Sequence, residues 1–398
     1  MQLPFNARAP SFDANAINQT IQRALASAGL DTTSGPMHAV TETIRQALAS
    51  GGLATAAAAS ATHDDVIDVA ARVVRPGAAD IEPSDHRLPT ARAETPGTFT
   101  TCLFSNASGN RAYKLYVPAT PSEAPRPMVV MLHGCTQSAD DFAAGTQMNR
   151  LADEHGFLVV YPEQPAQANM SKCWNWFQPQ DQLRDTGEPS LIAGIVRQVA
   201  SRHGADLRGV FVAGLSAGAA MAVVLGETHP DLFAGIGVHS GLPYGSAHDI
   251  PSAMAAMKGG RSGMPGLQVT PDRAGLQSKR AVHAVPTIVF HGDRDHTVQQ
   301  TNAKRVVQQA RDAYSAEPGA TALTTDTHRG TAPGGRSYSR TVYADSTGRA
   351  HIEDWTIHGA GHAWSGGDEV GSYTDRTGPD ASGEMVRFFL SLARAGSA

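Results

Sequence analysis

A strand-like run that ends in a tight glycine–serine turn is the feature that most constrains how this chain folds. Residues 210–213 (Val-Phe-Val-Ala) lead directly into residues 214–218 (Gly-Leu-Ser-Ala-Gly), and an alanine-rich helical run follows at once. Small residues permit a sharp turn between a strand and a helix, and such a turn lifts a serine hydroxyl above the edge of a sheet. The sequence therefore predicts a strand–turn–helix unit with Ser216 as a candidate nucleophile.

Predicted strands and helices alternate from about Thr98 onward. The run Met128–Leu132 is apolar throughout, which is typical of a strand buried on both faces. Such alternation predicts an α/β fold with a mostly parallel central sheet flanked by helices. Between Pro318 and Trp355, a polar stretch with two strand-like segments predicts an antiparallel excursion near the end of this sheet. The other predicted elements are strands at 113–118, 157–161, 209–213, 233–239 and 286–290, and helices at 140–155, 189–202, 217–228, 298–314 and 384–393.

The first 97 residues differ from the rest of the chain and carry an imperfect repeat. Residues 21–30 recur as residues 44–53, and each copy closes on Gly-Leu. Apolar residues spaced four apart predict two short helices, which we expect to pack on the main domain, on a second copy of the chain or on an apolar surface. Residues 54–97 have the composition of a linker. We therefore expect an N-terminal helical extension over 1–97 and a main domain over 98–398.

Composition excludes several classes of function. The 398-residue chain has a formal net charge of −5, so we expect no nucleic-acid partner. No apolar run is long enough to span a membrane, and the three cysteines lack the spacing of a metal site. Met1–Pro10 has no apolar segment typical of a secretory leader, which makes a cytoplasmic location the default expectation.

A serine nucleophile needs a histidine base and a carboxylate that orients the base. In α/β-hydrolases these follow the serine in the order acid, then histidine. Asp293 and Asp295 both follow the predicted strand at 286–290. We favour Asp295 as the acid because the turn after this strand must reach across before the next helix begins at about Val298, and Asp295 lies farther along that turn. Asp293 lies close to the strand and is expected to cap the turn.

The predicted base is His362, which stands alone in a glycine-flanked loop after the last predicted strand. His358 is the nearest alternative, but it ends an apolar strand and is expected to be packed. His291 and His296 flank the candidate acid, and we expect them to be structural.

Acyl transfer also requires N–H donors for the developing oxyanion. One is the backbone N–H after the nucleophile, at Ala217, and the other comes from an earlier loop that follows a strand. Residues 132–137 (Leu-His-Gly-Cys-Thr-Gln) occupy that place, and we assign the second donor to the Cys135 N–H, with Thr136 as the alternative. His133 is expected to support this loop by hydrogen bonding.

Together these motifs resemble the esterases of the poly(3-hydroxybutyrate) depolymerase family, which are related to feruloyl and acetylxylan esterases. The resemblance runs from about Thr101 to Leu392. It implies an α/β-hydrolase fold over residues 98–398, hydrolysis of carboxylic esters, a triad of Ser216, Asp295 and His362, and no metal or organic cofactor. The matching segments are residues 132–137, 161–164, 173–177, 214–218, 239–241, 291–295 and 361–364.

The resemblance carries further expectations, each with a competing interpretation. Cys135 and Cys173 lie in matching segments, where they either form a disulfide or remain two buried thiols. Trp174, Trp176 and Trp364 either line the acyl pocket or pack in the core. The substrate is a hydroxyalkanoate polyester or oligomer, or else a feruloyl or acetylxylan ester, and an extracellular location becomes an alternative to the cytoplasm. In a different class of function, the extension coats a polymer or granule and the hydrolase domain is idle.

Overall fold

The computed structural model describes residues 97–122, 124–260 and 284–395 of the chain. The predicted repeat helices, and the predicted linker up to residue 96, lie outside the described residues. The described helices are α1 (Ala139–Thr146), α2 (Met148–His155), α3 (Gly187–His203), α4 (Ala217–Thr228), α5 (Ile250–Met257), α6 (Thr301–Ser315) and α7 (Ala381–Ala395). The strands are β1 (Thr98–Asn106), β2 (Gly109–Val117), β3 (Arg126–Leu132), β4 (Leu158–Pro162), β5 (Ala205–Leu215), β6 (Gly235–His239), β7 (Thr287–Gly292), β8 (Thr324–Thr331), β9 (Ser337–Ala344), β10 (Ala350–Ile357), β11 (Trp364–Ser365) and β12 (Thr374–Asp375).

Ten of these strands form one sheet in the order β1-β2-β4-β3-β5-β6-β7-β10-β9-β8. The six strands from β4 to β10 in that order run parallel to one another, which confirms the mostly parallel sheet. Antiparallel pairs close both edges, β1 with β2 on one side and β8 with β9 on the other. The antiparallel excursion predicted between Pro318 and Trp355 is therefore confirmed, and β5, β6 and β7 are placed side by side at the centre.

Helices cover both faces of the sheet, as the fully apolar run in β3 predicts. Met128, Val130 and Leu132 pack in one apolar cluster with α3, α4 and α6. The alternate residues Val129 and Met131 pack in a second cluster with α1, α2 and α7. Because side chains alternate across a strand, a run that is apolar at every position requires a core on each side.

The single helix predicted over 140–155 is wrong, because the structure has two helices there. Gln147 takes a left-handed conformation (φ 54°), ends α1 by donating its N–H to Ala143 O, and then precedes the first residue of α2. A left-handed residue cannot continue an α-helix. Strand β1, helix α5 and a short 3₁₀ helix (Pro179–Gln182) are further elements that we did not predict. None of the described helices is long and apolar enough to cross a bilayer.

Candidate active site

Ser216 stands between the end of β5 and the start of α4, in a strained backbone conformation (φ 57°, ψ −117°). Positive φ at a non-glycine residue is costly and tends to occur at functional sites. Gly218 explains the tightness of the turn, because a Cβ there would overlap the carbonyl oxygens of Leu132 and His133. The turn therefore needs glycine at that position. Ser216 is only 9% exposed, so its hydroxyl belongs to a covered site rather than an open surface.

The structure brings Asp295 and His362 into direct contact. Their hydrogen bond joins His362 Nδ1 to Asp295 Oδ2 at 2.6 Å. Asp295 is 3% exposed, and its other oxygen accepts the N–H groups of Thr297 and Val298 at 2.9 and 2.8 Å. Burial raises the pKa of the Asp295 carboxyl, but the hydrogen bond and the charge of His362 outweigh it, so the pKa falls below its ordinary value. The carboxylate is thus ionised and holds Nδ1 as the donor, which leaves His362 Nε2 as the acceptor nitrogen.

The strand order brings these loops together at one edge of the sheet. β5, β6 and β7 are neighbouring parallel strands, so the loops at their carboxyl ends lie side by side. Ser216 N donates to His239 O at the end of β6. The loop after β7 is joined to the segment before His362 by two backbone bonds, Asp293 N to Ile357 O and Arg294 N to Ala360 O.

Two backbone N–H groups near Ser216 are free to bind an anion. Among the described residues, neither the Ala217 N–H nor the Cys135 N–H has a hydrogen-bond acceptor. The Ala217 N–H also lies at the N-terminus of α4, where the helix dipole favours negative charge. The alternative donor at Thr136 is already engaged, because its N–H donates to Ser171 O at 2.7 Å. The geometry therefore favours Cys135 over Thr136.

His133 supports the Cys135 loop through both ring nitrogens. Its Nε2 accepts the Gln164 N–H at 3.0 Å, and its Nδ1 lies 2.7 Å from Gly134 O. A backbone N–H can only donate, so the ring carries its proton on Nδ1. Burial lowers the pKa of His133, which keeps the ring neutral.

Cys135 and Cys173 form a disulfide, which ties the candidate oxyanion loop to the loop that carries Trp174. The loop that carries Trp174 is also held by Glu188, which accepts the Asn175 N–H at 2.8 Å. Glu188 accepts a second hydrogen bond from the Gln164 side chain. Glu188 is 4% exposed, and burial followed by the charge of Asp181 raises its pKa to about 7. A buried polar network of this kind fixes a loop in one geometry.

Removing the disulfide should measure its share of the stability. The bond joins residues 38 positions apart, and closing a loop of that length restricts the unfolded chain. We expect the double variant C135A/C173A to lose about 2–4 kcal/mol of unfolding free energy in urea titrations. The third cysteine provides the control, since Cys102 is unpaired and C102S should unfold close to wild type. Equal midpoints for C135A/C173A and wild type would contradict this role.

The three predicted pocket tryptophans all belong to the apolar clusters of the core. Trp174 is fully buried, and its indole N–H donates to His133 O. Trp364 is also buried, and its indole N–H donates to Ser382 Oγ. The structure therefore favours the core-packing interpretation for both. Trp176 is 6% exposed and packs in the same apolar cluster as Trp174, and its contact with substrate stays a prediction.

The alternative acid, Asp293, belongs to a second hydrogen-bonded chain. Asp293 Oδ2 lies 3.0 Å from His358 Nδ1, and His358 Nε2 lies 2.9 Å from Ser339 Oγ. Asp293 also accepts the Gly359 N–H at 2.7 Å. His358 has a side chain that is 40% exposed, so the expectation that it is packed is wrong. The serine of this group, Ser339, lies on strand β9, where neither a tight turn nor a helix N-terminus adjoins it.

A structural role is supported for His291, whereas for His296 it stays a prediction. His291 is buried and its Nε2 lies 2.8 Å from Val298 O, which closes the loop around Asp295. His296 is exposed, and its carbonyl accepts a hydrogen bond from Lys258. Within residues 97–122, 124–260 and 284–395, no group of three or more histidine, cysteine or acidic side chains is placed to hold a metal ion.

Sequence reasoning gave no role to three side chains that shape the site. Gln137 accepts the Gly134 N–H at 2.8 Å and donates to Asp141 at 2.8 Å, so it sets the shape of the Cys135 loop. Gln164 and Glu188 form the buried network beneath that loop. Gln137 and Gln164 lie in segments that carried the resemblance, which was the available signal. Glu188 gave none, because its partners are distant in sequence.

The chain is similar in sequence to known depolymerases and esterases. The family model "Esterase PHB depolymerase" matches residues 111–320, just over half of the chain. Poly(3-hydroxyalkanoate) depolymerase C of Paucimonas lemoignei is 35% identical over 265 residues, which are 65% of this chain and 60% of that protein. Feruloyl esterase B of Thermothelomyces thermophilus is 28% identical over 265 residues, which are 65% of this chain and 86% of that protein.

A solved structure supports the fold. Acetyl xylan esterase from Aspergillus awamori superimposes with a TM-score of 0.56 at 21% identity, over 74% of this chain and 99% of that one. The predicted α/β-hydrolase fold is confirmed. Because the family model spans more than half of the sequence and includes the glycine–serine turn, the chain belongs to the esterase PHB depolymerase family.

Proposed function

We propose that this protein hydrolyses carboxylic esters through an acyl-enzyme on Ser216. The observation that carries the proposal is the hydrogen bond from His362 Nδ1 to the buried Asp295 carboxylate, in loops that adjoin the strained Ser216 turn. Membership of an esterase family supports the same reaction. The matched region covers only 60% of the Paucimonas lemoignei depolymerase. The proposed activity therefore rests on the active-site residues of this chain and not on that protein's name.

Acylation uses each group in the role that its geometry allows. Ser216 Oγ attacks the ester carbonyl carbon while His362 Nε2 takes the serine proton, and Asp295 stabilises the imidazolium that forms. The carbonyl oxygen becomes an oxyanion that accepts the Cys135 and Ala217 N–H groups. When the intermediate collapses, the carbon–oxygen bond to the alcohol breaks, and the imidazolium gives its proton to the departing alkoxide.

Deacylation repeats these steps with water as the nucleophile. His362 Nε2 takes a proton from water, whose oxygen attacks the acyl carbon, and the same two N–H groups bind the second oxyanion. The bond from carbon to Ser216 Oγ then breaks, the proton returns to the serine, and the carboxylic acid leaves. No step requires a metal or an organic cofactor.

The proposed substrates are esters of hydroxyalkanoic acids, as short oligomers or polyester chains. Similarity to a poly(3-hydroxyalkanoate) depolymerase supports this class, and similarity to feruloyl esterase B supports aromatic acyl esters as the second candidate. The proposed acylation and deacylation steps apply to both classes of ester, so the assay must compare the substrates themselves. One assay with hydroxybutyrate oligomers, methyl ferulate and short nitrophenyl esters would rank them by kcat/KM.

Covalent labelling tests the nucleophile directly. A fluorophosphonate should phosphonylate Ser216, which mass spectrometry of the digested protein locates, and ester turnover should fall in proportion to labelling. Labelling at Ser339 instead, or turnover that persists after complete labelling of Ser216, would overturn the proposal. A protein that only binds polymer, with an idle hydrolase domain, would neither react nor turn over nitrophenyl esters.

A further inference from the structure

His239 is a buried histidine that the proposed mechanism does not use. It ends strand β6, between the strands that lead to Ser216 and to Asp295, and it is fully buried. Its carbonyl oxygen accepts the Ser216 N–H at 2.9 Å, so its backbone is attached directly to the nucleophile.

The imidazole of His239 is attached to the loop of the catalytic histidine. Its Nε2 accepts the Ser365 N–H at 3.0 Å, three residues beyond His362, and its Nδ1 lies 3.2 Å from Ser240 Oγ. Because the Ser365 N–H can only donate, the ring must be neutral with its proton on Nδ1. Ser365 follows the catalytic loop without a break, so this bond fixes where that loop leaves the site.

Burial, followed by the nearby charges of His291 and His362, lowers the pKa of His239 to about 3, against the opposing effect of Asp295. His239 therefore remains an acceptor throughout the neutral pH range. A protonated ring would lose the lone pair that holds the Ser365 N–H.

The same ring contacts the element that carries the acid. Its face stacks on Phe290 with centroids 5.9 Å apart, and on Trp364 with centroids 5.1 Å apart. Phe290 lies in β7, just before the Asp295 loop, and its carbonyl accepts the Ser240 N–H at 2.9 Å. One residue thus contacts the nucleophile, the strand of the acid and the loop of the base.

We infer that His239 is a positioning residue, whose neutral Nε2 holds the His362 loop in register with Ser216 and Asp295. The inference rests on the proposed function, because it concerns the geometry of that triad. Catalytic groups must be held within a fraction of an ångström, and a displacement of about 1 Å can cost about 100-fold in rate.

The test separates the acceptor from the ring. His239→Phe keeps the aromatic stack and removes the acceptor, whereas His239→Gln restores an acceptor oxygen near the place of Nε2. On a soluble nitrophenyl ester, we expect H239F to lower kcat by about 10- to 100-fold with little change in KM. H239Q should recover most of that loss.

Two further readouts distinguish positioning from simple packing. The low-field proton resonance of the His362 Nδ1–H, which reports its bond to Asp295, should be perturbed in H239F and retained in H239Q. His229 provides the matched control: it is also fully buried, but it follows the C-terminus of α4, about 18 Å of helix away from Ser216. H229F should lower stability and leave kcat per folded molecule unchanged.

The outcomes test the positioning role of His239 separately from the proposed ester hydrolysis through Ser216. Wild-type kcat and resonance in folded H239F would overturn the positioning role, as would equal damage in H239Q and H239F. If H239F does not fold, His239→Asn replaces it, because the shorter amide cannot reach the Ser365 N–H. Turnover that survives in S216A would instead overturn the proposed function, whatever the result at His239.

Discussion

Replacing Ser216 with alanine is expected to lower kcat for ester hydrolysis by about 10⁴-fold or more, with the fold retained. The variant loses the atom that forms the acyl-enzyme, and no other hydroxyl occupies the turn before α4. The free N–H groups of Ala217 and Cys135 remain, so a small residual rate above the uncatalysed reaction is expected. Initial rates on nitrophenyl acetate, together with circular dichroism to verify folding, measure the effect.

Ser339 supplies an unusually close control for this experiment. Its hydroxyl is hydrogen-bonded to a histidine, which is in turn hydrogen-bonded to an aspartate. It lies on the extended strand β9, where no helix N-terminus follows to supply an oxyanion donor. Ser339→Ala should therefore leave kcat near wild type. If S339A lost activity and S216A kept it, the nucleophile would be Ser339, in the hydrogen-bonded group with His358 and Asp293.

The central architecture could be predicted from local sequence because its causes are local. Met128–Leu132 is apolar at every position, and only a strand with a core on both faces accommodates such a run. The turn at Ser216 was predictable for a similar reason, since the small residues on both sides of the serine permit a sharp turn between a strand and a helix. The order of Ser216, Asp295 and His362 then followed from the fold's own topology.

Contacts between residues far apart in the chain could not be predicted in this way. His239 binds the Ser365 N–H across 126 positions, and no periodicity links the two. The break at Gln147 also escaped prediction, because left-handed backbone at a residue other than glycine has no local signature. For Trp174 and Trp364, composition alone did not separate a pocket wall from a core residue.

The sequence offered two candidate acids, Asp293 and Asp295, and the geometry separates these two carboxylates. Asp295 is 3% exposed and bonds His362, whereas Asp293 bonds His358 and the Gly359 N–H. Asp293 thus supports the segment before the base without touching the base itself. The two residues are two positions apart, so they form a matched pair for substitution.

Asp295→Asn should lower kcat by about 10⁴-fold, while Asp293→Asn should lower it by about tenfold or less. An asparagine amide that donates to His362 Nδ1 forces the ring proton onto Nε2, and that nitrogen can then no longer accept the serine proton. The neutral amide also lacks the negative charge that stabilises the imidazolium in both transition states. At Asp293, asparagine keeps an acceptor oxygen for the Gly359 N–H. The measurement is kcat for both variants on the same nitrophenyl ester, and a larger loss in D293N than in D295N would show that the acid has been assigned to the wrong carboxylate.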